Sequence, residues 1–308
     1  MQGAKILVTG AAGNLGLPLV EHLAPANDVW GVARFSDPRA RDKVEAAGAT
    51  TRAVDLASGD LADLPDDFDY VVHLATFRGG VVDYDGALRT DAEGTALLLA
   101  HCRHARAALV MSAGSVYRPA EDPYHAYVEG DPLGEGSVPS IPTYSITKIA
   151  AEAVSRACAR LYDLPMIITR MNCGYGSNGG MPAWHLDAIM AGRPVPLRSP
   201  GPKYSAIHQD DIGVQIEPLL AAATVPATVV NWGGDDVVGP EDWCVYFGEL
   251  TGKPVDLVAG STAGTYPSSV YDVTKRRSIT GPCEVSWREG MRRTLQGRYP
   301  GALRDATD

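Results

Sequence analysis

The chain has 308 residues, of which 45% are apolar and 21% are charged, and its formal net charge is −10 at pH 7. This length and composition suit one large α/β unit, or a core domain with a smaller lobe. The acidic balance argues against binding to nucleic acid or to anionic membranes, which needs a basic surface. No apolar run reaches the roughly 20 residues of a membrane-spanning helix.

The cysteine content indicates a reducing compartment. The chain has five cysteines, an odd number, and no CxxC pair occurs. This argues against a disulfide framework and a zinc site and favours the cytoplasm. The segment AKILVTG already has the pattern of a core strand at residue 4, so we expect no signal peptide. We also expect no bound metal, because no set of metal ligands converges in the sequence. The cysteines are Cys102, Cys158, Cys173, Cys244 and Cys283.

Short apolar runs alternate with helical patterns through the first half of the chain. The segments LGLPLVEHLA and GTALLLAHCRHA have helical periodicity. Strands that alternate with helices predict a doubly wound parallel sheet with helices on both faces, joined by right-handed crossovers. We assign residues 1–170 to this α/β domain. Its predicted strands are Lys5–Val8, Val29–Ala33, Thr51–Val54, Tyr70–Leu74, Ala108–Met111 and Met166–Thr169.

The second half has a looser pattern. Glycine and proline are dense from Cys173 to Pro202, which is typical of loops and short helices. The run TVVNWGG predicts a late strand near 228–233 that returns to the first domain, and VSWREGMRRTL predicts a terminal helix. We expect residues 171–308 to form mainly a smaller α+β lobe that binds the substrate.

The segment ILVTGAAGNLGLPLVEHL combines an apolar strand, a tight glycine turn and a helix. Gly10 allows the sharp turn, Gly13 lets a pyrophosphate approach the backbone, and Gly16 lets the helix pack closely on the sheet. The N–H groups at the helix N-terminus favour a phosphate there. We therefore predict a dinucleotide site that contains these glycines together with Asn14 and Leu15.

The GxxGxxG spacing resembles the short-chain dehydrogenase/reductase superfamily. The segments DAEGTALLLAHC, TRMNCGYG, AGRPVPL…YSAIHQDDI and YDVTKRRSITG…WREGMRRT extend the resemblance over nearly the whole chain, to the extended type, the NAD-dependent epimerase/dehydratase family. This implies a Rossmann-type first domain. It also implies that Asp55, followed by Leu56, hydrogen-bonds the adenine amine. In VVHLAT, the residues that line the middle of the cofactor are then Leu74, Ala75 and Thr76.

The end of the second predicted strand bears on the choice between NAD and NADP. A carboxylate there normally binds the ribose 2′-hydroxyl of NAD, but this chain has Ala33 at that position, followed by Arg34. An arginine suits a 2′-phosphate by its charge and by stacking on adenine, and Arg39 is placed to assist. We favour NADP(H), with NAD(H) as the alternative.

The segment YSITKIAAEAV contains the candidate acid/base. Tyr144 and Lys148 are four residues apart, so in a helix they share one face. We expect the lysine ammonium to lower the pKa of the tyrosine and make the phenol a usable acid/base near neutral pH. The resemblance further implies that Lys148 holds the nicotinamide ribose.

The segment MSAGSVY lacks a hydroxyl that the resemblance implies. Extended members carry Ser or Thr four residues before the tyrosine of a VY pair, and that position here is Ala113, counted back from Tyr117. Ser115 lies where nucleotide-sugar dehydratases of the family carry a glutamate. Ser112 would take the position of the missing hydroxyl if the match to the family pattern were shifted by one residue. We favour Ser115 over Ser112, and the remaining alternative is that Tyr144 works with water alone.

Other departures from the family concern the substrate. The Asp–Glu pair of the sugar 4,6-dehydratases falls at Gly114 and Ser115, so elimination of water finds no carboxylates there. The arginine that grips a nucleotide diphosphate is Tyr204 here, with Lys203 displaced by one. Cys173 stands where an asparagine is expected, and it cannot hydrogen-bond as an amide does. The candidate substrate-binding residues are therefore Cys173, Lys203 and Tyr204.

Three functions remain open. The first is hydride transfer at a secondary alcohol or ketone of a small, sugar-like or other polar substrate, with Tyr144 as acid/base. The second is a nucleotide-sugar 4-epimerase with retained cofactor, which grips its diphosphate through Lys203 or through Arg276 and Arg277. The third is an NADP-sensing regulator without catalysis. It would be permitted by Ala113, in place of the family's serine or threonine, and by Asp91, in place of the family's asparagine.

The segment KIAAEAVSRACARLY has small or apolar residues on more than one face, so the helix is buried on two sides. In the family, the helix that corresponds to this segment and the helix that corresponds to GTALLLAHC pack together against the same two helices of a second subunit. The resemblance therefore implies a homodimer with a four-helix interface. The alternative is a helix buried within one chain.

Overall fold

The computed structural model describes residues 1–78, 82–135, 142–197, 201–260 and 268–304. Its strands are β1 (Lys5–Thr9), β2 (Asp28–Ala33), β3 (Thr50–Ala53), β4 (Tyr70–His73), β5 (Ala107–Ala113), β6 (Ala126–Tyr127), β7 (Met166–Met171), β8 (Gly174–Tyr175), β9 (Val195–Leu197), β10 (Ile207–His208), β11 (Thr228–Trp232), β12 (Leu257–Ala259) and β13 (Val270–Tyr271). Its helices are α1 (Gly16–Leu23), α2 (Pro38–Ala46), α3 (Tyr84–Leu88), α4 (Gly94–His101), α5 (Tyr144–Tyr162), α6 (Met181–Met190), α7 (Gln209–Ala221), α8 (Pro240–Thr251), α9 (Thr274–Thr280) and α10 (Trp287–Arg298).

Seven strands form one parallel sheet in the order β3–β2–β1–β4–β5–β7–β11. Ile6 of β1 lies opposite Val29 of β2 on one side and opposite Tyr70 of β4 on the other. This is the strand order of a Rossmann-type doubly wound sheet, so the predicted fold class is confirmed. The order reverses between β1 and β4, and ligands bind in such folds outside the carboxyl ends of the strands at that point.

Apolar side chains cover both faces of the sheet. Alternate residues of a strand point to opposite faces, so Ile6 packs with α1 and α7 on one face while Leu7 packs towards α4 on the other. This burial on both sides explains the continuous apolar run of β1. Helix α7 packs on the same face of the sheet as α1, and strand β11 forms one edge of the sheet, although both follow residue 170.

The second lobe packs α6, α8 and α10 around a separate apolar cluster that includes Trp243, Phe247 and Met291. Three two-stranded parallel sheets, β8–β10, β9–β12 and β6–β13, lie outside the main sheet. Because β6 pairs with β13, residues 126–127 of the first half lie beside the second half of the chain. In the described ranges no helix is long and apolar enough to cross a membrane.

Candidate active site

A cavity of about 760 Å³ lies at the carboxyl ends of the central strands, between the sheet and the second lobe. Its wall brings together most of the predicted site residues. Seven predicted residues do not contribute to the wall: Arg39, Ser112, Ser115, Lys148, Lys203, Arg276 and Arg277. Those that do are Gly10, Gly13, Asn14, Leu15, Gly16, Arg34, Asp55, Leu56, Leu74, Ala75, Thr76, Tyr144, Cys173 and Tyr204.

The glycine turn after β1 forms one end of this cavity. Gly10 has φ +66°, and its carbonyl oxygen accepts a hydrogen bond of 2.8 Å from Gly13 N. A Cβ on Gly16 would lie 2.2 Å from Gly10 O, so only glycine allows α1 to approach this closely. No described side chain caps α1 at Leu15. The first turn therefore keeps N–H groups for an anion, and these residues fit the pyrophosphate of a dinucleotide.

The ends of β2 and β3 form the next part of the wall. Arg34 is exposed and lies on the wall beside Ala33. Asp55 also lies there, and its Oδ1 accepts a hydrogen bond of 3.1 Å from Ala57 N. Arg39, which we expected to assist Arg34, pairs instead with Asp37 at 3.0 Å and is 85% exposed outside the wall. Arg34 is thus the cation that this part of the cavity presents.

The tyrosine and lysine lie on one face of α5, as their spacing predicts. Tyr144 is the first residue of α5 and lies half-buried on the cavity wall. Lys148 lies behind it: its Nζ is 5.7 Å from the centre of the Tyr144 ring and donates a 3.0 Å hydrogen bond to Met111 O. This lysine is buried, and its contact with a cofactor ribose stays a prediction.

The pKa of Tyr144 differs from the prediction. Burial raises this pKa to about 12, the Asp91 carboxylate raises it further, and the Arg78 guanidinium opposes them. The prediction of a lowered pKa is wrong, because removing the phenolate from water costs more than the neighbouring positive charge returns. Burial also lowers the pKa of Lys148.

Asp91 is a site residue whose role the sequence did not predict. It lies in one turn of π-helix, Arg89–Glu93, and is 3% exposed. Phe77 N donates to its Oδ1 at 2.6 Å, and Thr147 Oγ1 donates to its Oδ2 at 2.7 Å. The carboxylate therefore joins the loop after β4 to the helix that carries Tyr144. Its only signal in the sequence is a carboxylate where the family pattern has an asparagine.

Comparison with known proteins identifies the family. Residues 6–213 match the NAD dependent epimerase/dehydratase family. The chain belongs to this family. The resemblance inferred from the motifs is thus confirmed, and the family consists of enzymes that use a nicotinamide dinucleotide.

Curated relatives include dehydratases. The dTDP-glucose 4,6-dehydratase of Streptomyces antibioticus is 29% identical over 254 residues, which cover 75% of this chain and 72% of that protein. A trifunctional UDP-glucose 4,6-dehydratase/UDP-4-keto-6-deoxy-D-glucose 3,5-epimerase/UDP-4-keto-L-rhamnose-reductase of Arabidopsis thaliana is 26% identical over 261 residues, 78% of this chain. The chain spans only 38% of the length of that relative.

Solved structures with the same fold include nucleotide-sugar enzymes. A UDP-glucuronic acid 4-epimerase variant from Bacillus cereus, bound to a fluorinated substrate analogue and NAD, superposes with a TM-score of 0.82 at 21% identity, covering 96% of this chain and 98% of that one. MoeE5 bound to UDP-glucuronic acid and NAD superposes with a TM-score of 0.80 at 26% identity, covering 95% and 98%. These structures support a nicotinamide dinucleotide as cofactor.

Neither serine predicted to replace the family hydroxyl missing at Ala113 lies on the cavity wall. Because side chains alternate along β5, Ala113 faces the cavity while Ser112 points away and donates a 2.6 Å hydrogen bond to Glu152. Ser115 lies in the turn after β5, and its buried hydroxyl has no hydrogen-bond partner among the described residues. Ser112 is therefore engaged away from the candidate site, whereas a substrate contact of Ser115 stays a prediction.

The basic residues expected to grip a diphosphate are paired with acids. Lys203 donates a 2.6 Å hydrogen bond to Asp242 and lies outside the cavity wall. Arg276 is fully buried against Asp235, and Arg277 lies 4.0 Å from the same carboxylate. Within the described ranges no three His, Cys, Asp or Glu side chains are placed to hold a metal ion.

The substrate end of the cavity is lined mainly by uncharged residues. Tyr204 and Cys173 lie on its wall as predicted, and burial raises the pKa of the Cys173 thiol to about 12. Four further wall residues had no signal that singled them out in the sequence, since helix α6, the segments after β4 and β7 and the segment before β13 bring them there. They are Arg78, Asn172, Trp184 and Ser269.

Proposed function

We propose that the chain catalyses hydride transfer at a secondary alcohol or ketone of a small, sugar-like or other polar substrate. One observation carries the proposal: the phenol of Tyr144 lies on the same cavity wall as the glycine turn, with a lysine ammonium one helical turn behind it. When bound, the nicotinamide ring supplies the hydride acceptor or donor. We assign the cofactor-binding role to the wall residues at and just beyond the carboxyl ends of β1, β2, β3 and β4.

The side chains of the protein transfer the proton and stabilise the charge that this transfer leaves. With its pKa raised to about 12, Tyr144 is protonated at neutral pH and can donate its proton to a carbonyl oxygen as that oxygen gains charge. The Lys148 ammonium then stabilises the phenolate that remains. Asp91 accepts from Thr147 and so holds the first turns of α5 against the loop after β4.

The pairing of Lys203, Arg276 and Arg277 with acidic residues favours a substrate without a nucleotide diphosphate. A nucleotide-sugar 4-epimerase with retained cofactor is the second candidate, because MoeE5, at 26% identity, binds UDP-glucuronic acid. A regulator that senses NADP without chemistry has no need of a phenol backed by an ammonium.

Mass spectrometry of the cofactor that copurifies with the protein, together with calorimetry of UDP binding, separates these functions. We expect that the cofactor exchanges freely, so that the purified protein has an empty site, and that UDP does not bind. A tightly held oxidised cofactor combined with UDP binding would support the epimerase instead. Absence of any dinucleotide binding would contradict both enzymes.

We also propose that the cofactor is NADP(H), with Arg34 and Ser36 holding the 2′-phosphate. Both residues line the cavity where β2 ends, and the carboxylate that would select NAD is replaced by Ala33. Arg34→Ala should raise the KM for NADPH about 10- to 100-fold, the loss expected for one charge-assisted hydrogen bond, and leave the KM for NADH nearly unchanged. Steady-state kinetics with both cofactors measures this.

Arg39→Ala is the matched control, because Arg39 is a neighbouring arginine that pairs with Asp37 outside the cavity. We expect it to change neither KM. A wild-type enzyme that prefers NADH, or an Arg34→Ala variant that keeps its KM for NADPH, would contradict the assignment.

We propose further that the chain forms a homodimer in the cytoplasm through α4 and α5. Leu97 of α4, together with Ile146 and Leu161 of α5, exposes large apolar side chains on this side of the molecule, and apolar surface of this kind favours a protein interface. Light scattering at micromolar concentration should give twice the 32.6 kDa mass of the chain. A monomer would count against this interface. The five free cysteines support a reducing compartment.

A further inference from the structure

Gly114 lies on the cavity wall at a point where no side chain fits. A Cβ there would lie 2.3 Å from the Tyr271 hydroxyl oxygen and 2.8 Å from Ser269 Oγ. In the sugar 4,6-dehydratases the equivalent position carries an aspartate. In this chain two hydroxyls from the second lobe occupy the space that such a side chain would take.

Only one of these two residues lines the cavity. Ser269 lies on the wall beside Ala113 and Gly114, although it is only 4% exposed. Tyr271 is buried next to it and does not contribute to the wall; its hydroxyl lies 3.4 Å from Met171 O. Of the two residues that occupy the space beside Gly114, Ser269 is therefore the one placed to meet a ligand.

Ser269 is held in place by hydrogen bonds on both sides. Its backbone N donates to Lys203 O at 2.8 Å, and its carbonyl accepts from Ser205 N at 3.3 Å and from Asn172 Nδ2 at 2.7 Å. Asn172 Nδ2 also donates to Ser269 Oγ at 3.2 Å. A hydroxyl that accepts one hydrogen bond still has its own proton to donate, so Ser269 can donate to an oxygen in the cavity.

We propose that Ser269 binds a substrate oxygen on the Ala113–Gly114 wall and thereby supplies the hydroxyl that β5 lacks. This inference rests on the proposed function, because it assumes that the substrate lies between Tyr144 and the second lobe. It assigns a substrate contact to a residue more than 150 positions away from β5 in the sequence.

Kinetics of Ser269→Ala test the contact. The probes are UDP-glucuronic acid and free glucuronic acid with NADP⁺ or NAD⁺, followed by the absorbance of reduced cofactor and by chromatography of the products. We expect kcat/KM to fall about tenfold, the upper range for loss of one neutral hydrogen bond. Ser268→Ala is the matched control, because Ser268 Oγ accepts from Lys203 N and lies outside the wall. It should leave kcat/KM unchanged.

A rescue experiment separates substrate contact from a structural role. Ala113→Ser places a hydroxyl on the same wall, so it should restore much of the activity when combined with Ser269→Ala. A structural role of Ser269 would give no rescue. Equal activity of Ser269→Ala and Ser268→Ala, or a double variant no better than Ser269→Ala, would overturn the inference.

Thiol labelling tests the position of residue 269 without any turnover. In Ser269→Cys, saturating UDP-glucuronic acid or glucuronic acid with cofactor should slow modification of the new thiol by a methanethiosulfonate reagent about tenfold, because residue 269 lies on the cavity wall. The same probe should not slow modification of Ser268→Cys, and peptide mass spectrometry distinguishes both new thiols from the native cysteines. A lack of protection in Ser269→Cys by a probe that the wild type turns over would overturn the inference while leaving the proposed function intact. Protection of Ser269→Cys with no probe turned over by the wild type would support the inference and contradict the proposed function.

Discussion

Tyr144→Phe is expected to lower the rate of hydride transfer by a factor of about 10²–10⁴ while leaving cofactor binding nearly unchanged. The substitution removes only the hydroxyl that exchanges the proton, and the ring still fills the same part of the cavity wall. The rate of cofactor oxidation or reduction measures the first effect, and fluorescence titration with reduced cofactor measures the second. Tyr162→Phe, at the surface end of the same helix, should retain wild-type rates.

The pH dependence of the wild type follows from the raised pKa of Tyr144. With a pKa of about 12, the phenol is protonated throughout the neutral range. Reduction of a ketone, which needs the phenol as acid, should therefore keep a constant rate between about pH 6 and 9. Oxidation of an alcohol needs the phenolate and should become faster as the pH rises. A Tyr144→Phe variant with full activity would exclude the phenol as the acid/base.

Glu152→Gln is expected to lower the free energy of unfolding by about 3–5 kcal/mol, because it leaves the Arg170 guanidinium buried without its counter-charge. The two side chains are 3% and 1% exposed, and two hydrogen bonds of 2.9 and 2.8 Å join them. Ser112 donates to the same carboxylate, and the guanidinium also lies 4.8 Å from the centre of the Tyr117 ring. Urea denaturation at pH 7 measures the loss.

The matched control is Arg106→Gln, which breaks the exposed ion pair with Asp69. A pair of that kind contributes about 1 kcal/mol or less. The double variant Glu152→Leu with Arg170→Met should recover part of the stability, since replacing both charges leaves none unpaired. Equal losses for Glu152→Gln and Arg106→Gln would show that the buried pair is no more important than a surface one.

The buried pair also links stability to the candidate site. Glu152 lies two turns beyond Tyr144 on α5, while Ser112 and Arg170 belong to β5 and β7. The network therefore fixes the helix that carries the acid/base against the two strands that line the cavity. We expect Glu152→Gln to reduce activity as well as stability, even though none of its atoms reaches the cavity.

The parts of the site that depend on local geometry were predictable from the sequence. The glycine turn follows from backbone conformation, and the predicted strands of the first half occur with bounds shifted by one or two residues. Tyr144 and Lys148 share a helix face because four residues make about one turn. Each of these features is set by neighbours in the chain.

The parts that depend on burial and on distant contacts were not predictable. The sequence shows Lys203 and Asp242 as two charged residues, and only the fold brings them to 2.6 Å. The pKa of Tyr144 rises because its surroundings exclude water, which no spacing in the sequence reveals. Ser269 reaches the wall because the second lobe folds back over the end of β5.

A crystal structure of the chain with bound NADP⁺ tests the central claim most directly. We predict that the pyrophosphate lies at the glycine turn between Gly10 and Gly16, and that the nicotinamide ring lies on the wall formed by Met111, Ala113 and Tyr144. A ring turned away from Tyr144, or a dinucleotide bound outside this cavity, would contradict the account.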